Sequence, residues 1–429
     1  MKIAFVNPPR IIDDTYCIEA EDCCWGRTAR HILPYALLAC ASQLTRHDVK
    51  YTDLSIDPKS ELVDWSPDVV VYPVYWQDSQ HILDKVKDLP GHHVILCYPP
   101  GYANEFVTPN NTVIYSEPEL AFKHLDASRS INNWRNKISS AVYNSHRMSS
   151  TVYENNCIHG LVDMDYSLVP EHYWKKYKLA VYQVTRGCPY KCKFCVWGGS
   201  TVTDTTFRRR DPSQVFRDIC SIRNLANKHK GIDKLRPIPL YLISSQLTGS
   251  LIWLKKFHRL MSPRPYWFQS NVNARELTRE KLKLLMEAGM KTTSIGVECL
   301  TNRLLKKIGK AHTMEQVYSS VRLLEDSGIS YALHLRYGFG EDEHDIDESI
   351  HNLKKLKSIM TGGNGKLDIG PFVYYPGTRL GDDANESDLV PMTYRSGVKF
   401  MSRKGWDNVY CYKDIPSNIE ELIQEVHSQ

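Results

Sequence analysis

The chain has 429 residues, 42% hydrophobic and 24% charged, which is long enough for two or three domains with cores of their own and too apolar for a disordered segment. Its 54 basic and 49 acidic residues leave a net charge of +5, too small to indicate a nucleic-acid partner. Twelve unevenly spaced cysteines do not match a secreted disulfide framework and no apolar run reaches the length of a membrane span, so a reducing, cytoplasmic setting is expected.

Short β-branched runs predict strands at residues 2–7, 49–54, 68–75, 93–98 and 112–115, with amphipathic helices at 35–46 and 78–88. This alternation predicts an α/β fold that begins with a Rossmann-like doubly wound parallel sheet over residues 1–125. Ligands of such sheets bind at the carboxyl ends of the strands, where Asn7-Pro8-Pro9, Tyr75-Trp76 and Tyr98-Pro99-Pro100-Gly101 would gather. Residues 126–175 lose the rhythm and read as a bridging helix and linker.

A second alternation over residues 176–385 predicts strands at 180–185, 239–245, 267–273, 292–298, 331–339 and 368–375. Helical patterns at 279–288, 314–327 and 345–356 separate them. Six β-α units make a partial (β/α)6 TIM-like barrel, open on one side. Residues 386–429 form a small C-terminal segment whose role the residues do not reveal.

The first barrel strand runs into Thr185-Arg186-Gly187-Cys188-Pro189-Tyr190-Lys191-Cys192-Lys193-Phe194-Cys195. Three thiolates at these spacings can hold three irons of a four-iron cluster, which leaves the fourth iron open to bind a ligand and pass it an electron. Gly187 and Pro189 suit a tight turn that points successive thiols inward. A zinc knuckle would need a fourth Cys or His at short spacing, and Cys220 and His229 are poorly placed for it.

This C-x3-C-x-Φ-C string, with aromatic Phe194 before the last cysteine, resembles the signature of the radical S-adenosylmethionine (radical SAM) superfamily. The resemblance implies that Cys188, Cys192 and Cys195 hold a 4Fe-4S cluster whose open iron is chelated by the amino group and carboxylate of S-adenosylmethionine. Reductive cleavage would then give methionine and a 5'-deoxyadenosyl radical, with Phe194 near the adenine. An electron donor such as flavodoxin or ferredoxin is implied as a partner.

The chain to about Leu380 resembles the branch with an N-terminal cobalamin (B12)-binding-type domain. The landmarks are Asn7-Pro8-Pro9, Leu33-Pro34-Tyr35-Ala36-Leu37-Leu38 and Val162-Asp163-Met164-Asp165-Tyr166-Ser167-Leu168-Val169-Pro170, followed by Ser294-Ile295-Gly296-Val297-Glu298, Leu305-Lys306-Lys307-Ile308-Gly309-Lys310 and Tyr375-Pro376-Gly377-Thr378-Arg379-Leu380. Glu298 ends an apolar strand at the barrel mouth, where a carboxylate can accept hydrogen bonds from the ribose hydroxyls or amino group of S-adenosylmethionine; the alternative is a strand-end salt bridge. Lys310 resembles the position that pairs with the methionyl carboxylate, against an ordinary solvated lysine. Gly338-Phe339-Gly340-Glu341 resembles the end of the fifth-strand motif, with Gly338 letting the backbone approach the adenine.

Two departures and one basic run stand out in the barrel. His334 and Arg336 occupy places usually held by glycine and an aliphatic residue; Arg336 serves cofactor or substrate if it points inward, and otherwise pairs with a surface acid. Ser244-Ser245-Gln246 stands where acids are usual, and its hydroxyls, Ser244 included, and its amide can bind cofactor or substrate. Phe207-Arg208-Arg209-Arg210 reads as a solvated charge run more than as a patch that balances the cluster, before a helix capped at Asp211 or Ser213.

The resemblance also implies cobalamin above the barrel, where Tyr72, Tyr75, Trp76, Tyr98 and Tyr102 either line a corrin pocket or fill the interface. The chain has no Asp-x-His-x-x-Gly string, and Tyr98-Pro99-Pro100-Gly101 and Ser116-Glu117-Pro118-Glu119 replace glycine-rich strings, so the pocket is reshaped or empty. Cys17, Cys23 and Cys24 read as spare thiols. The leading expectation is a cobalamin-dependent C-methyltransferase acting on a small-molecule or peptide substrate. The alternatives are a cobalamin-independent radical SAM epimerase, rearrangement or oxidation enzyme and, in a different class, a non-catalytic iron-sulfur scaffold or electron carrier.

Overall fold

The computed structural model describes residues 1–8, 32–33, 35–75, 79–98, 103, 106, 108, 111–115, 118–128, 130–138, 142–144, 161–177, 179–203, 205–229, 238–372, 374–375, 377–384, 389–392 and 409–412. Cys17, Cys23, Cys24, Trp76 and Tyr102 lie outside the described residues, and so do Pro99, Pro100 and Gly101.

The first seven strands are β1 (Lys2–Asn7), β2 (Ile32–Leu33), β3 (Asp48–Asp53), β4 (Val69–Tyr75), β5 (His92–Tyr98), β6 (Asn111–Tyr115) and β7 (Val142–Asn144). All but β2 form one parallel sheet in the order β3-β1-β4-β5-β6-β7. Ile3, Ala4, Phe5 and Val6 are all fully buried, as expected of a strand covered on both faces. The chain reverses direction across the sheet between β1 and β4, which puts Asn7 and Tyr75 at the switch point. Asn7 Nδ2 donates to Asp53 Oδ2 at 2.8 Å across the strand ends.

Two features differ from the sequence reading. Strand β7 comes from the region expected to be linker, and three residues are too few to show a period. Strand β2 leaves the front sheet and pairs in parallel with the first barrel strand, Ile32 beside Leu179 and Leu33 beside Ala180.

The barrel strands are β8 (Leu179–Gln183), β9 (Thr185–Arg186), β10 (Arg208–Arg209), β11 (Leu240–Ile243), β12 (Phe268–Asn271), β13 (Met290–Glu298), β14 (Ser330–Tyr337) and β15 (Gly365–Pro371). Six of them are expected and form a parallel sheet in the order β15-β14-β13-β12-β11-β8, to which β2 adds a seventh, outer strand. Thr185–Arg186 and Arg208–Arg209 make a short antiparallel ribbon beside it. In the C-terminal segment, β16 (Leu389–Met392) and β17 (Val409–Tyr412) pair antiparallel.

Helices Pro212–His229, Leu251–Met261, Arg279–Glu287, Met314–Ser327 and Glu343–Ile359 cover the outer face of this sheet. Capping is strong where the chain turns into them: Thr313 with Gln316 and Asp342 with Asp345 form reciprocal capping boxes. Asp211 Oδ1 accepts from Ser213 N at 2.8 Å at the start of Pro212–His229.

One apolar core runs through both sheets. It joins Ile3 and Phe5 of β1 to Leu37 and Leu38 of helix Tyr35–Ala41, to Tyr173, Trp174 and Tyr177, and on to Ala180 and Tyr182 of β8. Polar contacts reinforce that seam, because Tyr173 Oη accepts from Asp53 N at 2.9 Å and bonds to Asp57, while Tyr177 and Tyr51 hydroxyls meet at 3.1 Å. Among the described residues no helix is long and apolar enough to cross a membrane.

Candidate active site

The cysteine loop is shaped by glycines and held from three sides. Gly187 sits at φ +67, and a side chain there would meet the backbone of Thr205 and Thr206. Gly198 and Gly199 lie against the carbonyls of Tyr190 and Cys192, so the loop folds back on itself. Cys188 N donates to Thr205 O at 3.2 Å, Lys193 N to Ile308 O at 2.9 Å, and Leu380 N to Lys193 O at 2.9 Å. Tyr190 Oη donates to Glu276 at 2.5 Å, and Ser245 Oγ to Gly187 O at 2.6 Å.

Cys188, Cys192 and Cys195 are free thiols, partly covered and close enough to influence one another's ionisation. Burial pushes all three thiols up, Cys195 to about 12, and the Lys310 ammonium pulls Cys188 and Cys192 back. Among the described residues no three Cys, His, Asp or Glu side chains are gathered as for one bound ion. A set of soft, mutually adjacent thiols with a cation beside them suits a polynuclear iron-sulfur cluster.

Glu298 and Lys310, expected as separate ligands, meet each other: Lys310 Nζ donates to Glu298 Oε1 at 2.8 Å, with both side chains mostly buried. Glu298 ends β13 at φ +70, beside a register shift against β14. A side chain at Gly296 would strike the Glu298 carboxylate and come within 3.2 Å of Lys310 Nζ. Burial alone would push the Glu298 carboxyl up, but Lys310, with Arg336 and His334 farther off, holds it below the usual carboxylate range.

Phe194 carries Lys310 Nζ 5.5 Å from its ring centre and joins an aromatic group with Phe339 and Phe372. Phe339 lies within the Gly338–Glu341 string, whereas Phe372, just after β15, belongs to no motif and is brought in by the β14–β15 pairing. Gly338 adopts φ +95 with open space where a side chain would be, and its N–H is held by Glu341 at 2.9 Å.

Arg336 points to the inner face, since its neighbours Leu333 and Leu335 pack with the helices. It is nonetheless paired: Nη2 donates to Asp368 Oδ2 at 2.9 Å, and Nη1 to Leu335 O at 2.8 Å. His334 Nδ1 lies 2.8 Å from the same carboxylate oxygen. Burial works against the charge on Asp368, yet His334 and Arg336 hold its carboxyl far below the usual value. Asp368 is absent from the sequence-derived site, because only the β14–β15 register places it beside His334.

Ser244 is buried and its hydroxyl lies 3.4 Å from Thr185 Oγ1 and 3.3 Å from Gln246 N. Gln246, by contrast, is buried with both amide atoms lacking partners, as is the hydroxyl of Thr248. A buried orphan amide is costly, so Gln246 stands out among the polar groups of this strand end. Tyr75 and Tyr98 stand side by side in register at the ends of β4 and β5, and their side chains lie outside the described set.

Arg210 departs from the reading as a solvated charge run. It is fully buried, donates to Gln183 O at 3.0 Å and Val162 O at 2.6 Å, and reaches Tyr35 Oη at 3.1 Å. A second, partly buried cation missed by sequence reasoning as a site element is Arg186, which directly precedes Gly187. It pairs with Glu119 of helix Pro118–Asp126 in the front half and donates to Gln183 Oε1 at 2.9 Å.

Known proteins resemble this chain in sequence and in fold. Residues 182–353 match the radical SAM superfamily. The chain is 41% identical over 92 residues to a haem chaperone HemW of Lactococcus lactis, a match that covers 21% of this chain and 24% of that protein. Its fold superposes on the radical SAM methyltransferase TsrM of Kitasatospora setae, with TM-score 0.69, 15% identity and coverage of 99% of this chain and 88% of that one. It also superposes on the cobalamin-dependent radical SAM enzyme OxsB, with TM-score 0.65 and 16% identity, covering 99% of this chain and 66% of that one. A radical SAM domain implies a 4Fe-4S cluster and S-adenosylmethionine. Residues 182–353 thus form a radical SAM domain, and the fold of the chain is shared over 99% of its length with solved radical SAM structures that carry a doubly wound domain in front of the barrel.

Proposed function

We propose that the protein is a cobalamin-dependent radical SAM methyltransferase that modifies carbon in a small-molecule or peptide substrate. The observation that carries this reading is the mostly buried Arg186–Glu119 pair, which fastens the residue before the cysteine loop to the front domain. A ligand held at the front-sheet strand ends and a cluster on that loop would share one wall. The match of fold to TsrM and OxsB over 99% of the chain supports it.

In this reading Cys188, Cys192 and Cys195 hold three irons, and Lys310 and Glu298 receive the methionyl carboxylate and the amino or ribose groups of S-adenosylmethionine. Their mutual ion pair fixes both side chains before the cofactor arrives. Phe194, with Phe339 and Phe372, gives the adenine an apolar wall, and Gly338 leaves room for its approach. Ser244 and Gln246 close the second-strand end, where the Gln246 amide offers an NH2 that donates and a carbonyl that accepts. Arg336 fixes Asp368, and Asp368 in turn fixes the His334 ring against the inner wall. Tyr75 and Tyr98 border the cobalamin side. When bound, cluster and S-adenosylmethionine supply a 5'-deoxyadenosyl radical that removes substrate hydrogen, and cobalamin supplies the methyl group.

Anaerobic reconstitution tests this. Expected are iron and sulfide near four per chain, deoxyadenosine from S-adenosylmethionine plus dithionite, and a corrinoid visible spectrum after incubation with cobalamin. Cluster-loaded protein that forms no deoxyadenosine would overturn the radical reading. Deoxyadenosine without a bound corrinoid would favour a cobalamin-independent epimerase, rearrangement or oxidation enzyme. That second reading has its own support, because Tyr98-Pro99-Pro100-Gly101 and Ser116-Glu117-Pro118-Glu119 stand where glycine-rich strings would leave room for the nucleotide tail.

A further inference from the structure

Two stretches of this chain contain no acid and are stacked by the fold. Residues 186–203 include Arg186, Lys191 and Lys193, and residues 302–314 include Arg303, Lys306, Lys307 and Lys310. These seven basic residues exceed the whole chain's net charge of +5, so the rest of the molecule is slightly acidic. Lys193 N donates to Ile308 O at 2.9 Å, and Gly309 turns at φ +75 directly against Lys191 O and the Lys193 side chain. The cysteine loop and helix Asn302–Lys307 therefore present one continuous surface.

Three of the seven charges are spent inside or at a seam: Arg186 on Glu119, Lys310 on Glu298, and Arg303 on Asp342 and Asp345. The other four, Lys191, Lys193, Lys306 and Lys307, are exposed and none forms an ion pair with a described carboxylate. Lys191 Nζ is satisfied by Thr205 Oγ1 at 2.8 Å and Lys307 Nζ by Phe339 O at 2.7 Å, so these two heads are held in place without being neutralised. Some exposed lysines elsewhere on the barrel meet acids, as Lys255 does Glu280 at 2.9 Å and Lys256 does Asp211 at 2.8 Å, whereas here four lie together without one.

We infer that this lysine face, Lys191, Lys193 and Lys306 with Lys307, is the docking surface for an acidic electron-carrier protein that delivers one electron to the cluster loop. The inference rests on the radical SAM reading for its purpose and on charge placement for its location. Unneutralised cations of one sign steer an oppositely charged partner and set its register, and here two of them sit on the loop that bears the thiols. The transferred electron comes from the reduced carrier, which leaves oxidised by one electron.

The test uses the cluster-loaded full chain with S-adenosylmethionine and fluorescently labelled flavodoxin as the probe. In the triple variant Lys191→Glu, Lys193→Glu, Lys306→Glu, binding is expected to weaken about tenfold or more, and parent binding to weaken as salt rises from ~50 to ~300 mM. Deoxyadenosine formation is expected to fall by a similar factor with reduced flavodoxin and to stay unchanged with dithionite. Reversal of Lys228, Lys255 and Lys283, the same change of charge on helices away from the loop, is expected to leave both within about twofold. Equal flavodoxin binding by the triple variant and the parent overturns the inference, and so does an equal loss in the control. Tighter binding of mixed tRNA than of flavodoxin, lost in the same triple variant, overturns it in favour of nucleic acid. If the parent makes no deoxyadenosine even with dithionite, the radical reading fails, and the binding measurement still decides the face.

Discussion

The two halves of the barrel's inner wall are built from opposite materials. On β8 and β11 the inward residues Leu179, Val181, Tyr241 and Ile243 pack against Tyr35 and Ala39 of the front helix Tyr35–Ala41. On β13, β14 and β15 the wall carries Ser294, Glu298, His334, Arg336 and Asp368, with Lys310 behind them. The same period-2 alternation generates both walls, so the difference lies in what covers them. One wall is sealed by another element and must be apolar; the other faces the site and holds its charges in pairs. The cysteine loop leaves the apolar wall at β8 and crosses to the charged one, where Lys193 bonds to Ile308.

Changes at the crossing loop should have the largest effect. Cys192→Ala is expected to remove the cluster and with it all deoxyadenosine formation, while circular dichroism keeps the parental fold; retention of iron, sulfide and deoxyadenosine would contradict the assignment. On the apolar wall, Val181→Asp places an unpaired carboxylate against Tyr35 and Tyr241 and should cost about 4 kcal/mol in urea unfolding. A loss under ~1 kcal/mol would mean that this wall is wetter than its packing indicates.

A pH dependence comes next. His312 is buried beside the charged wall, with Nε2 3.3 Å from Val297 O and Nδ1 unpartnered. Burial, aided by the Lys310 ammonium, lowers its pKa from 6.5 to about 4. The unfolded chain therefore binds a proton that the folded chain refuses between those values, and stability falls as pH drops from about 6.5 to about 4, by about 3 kcal/mol. Replacing His312 by Gln should flatten that part of the melting-temperature profile, and an unchanged slope would remove His312 as its source.

Smaller effects separate the pair from its setting. Glu298→Gln leaves the Lys310 ammonium facing a neutral amide and should cost about 2 kcal/mol, with S-adenosylmethionine binding weaker by about tenfold. Adding Lys310→Met is expected to recover stability without recovering binding, measured by calorimetry on the double variant. Gly296→Ala pushes a methyl group at the same carboxylate, and about 1 kcal/mol is expected from that displacement.

Much of the framework can be read from the chain because a strand buried on both faces is an uninterrupted apolar run, as in Ile3 to Val6, and the helix at 314–327 announces its own caps with Thr313 and Gly328. The cysteine loop is legible for a similar reason, since its chemistry lies within eight consecutive residues. What escapes is set by partners distant in sequence. Asp368 needs the β14–β15 register, Glu119 lies 67 residues from Arg186, and Arg210 looks like one more surface arginine until Tyr35 and Val162 close over it. Strands β2 and β7 are too short to carry any period.

Strand β2 also joins the fates of the two halves. By lying along β8 it caps the rim of the barrel sheet with a piece of the front half. Cutting the protein between them would strip that cover and bare a row of unpaired amides and carbonyls on Leu179 and Ala180, a template for self-association. An excised barrel should accordingly clump where the intact chain stays dispersed.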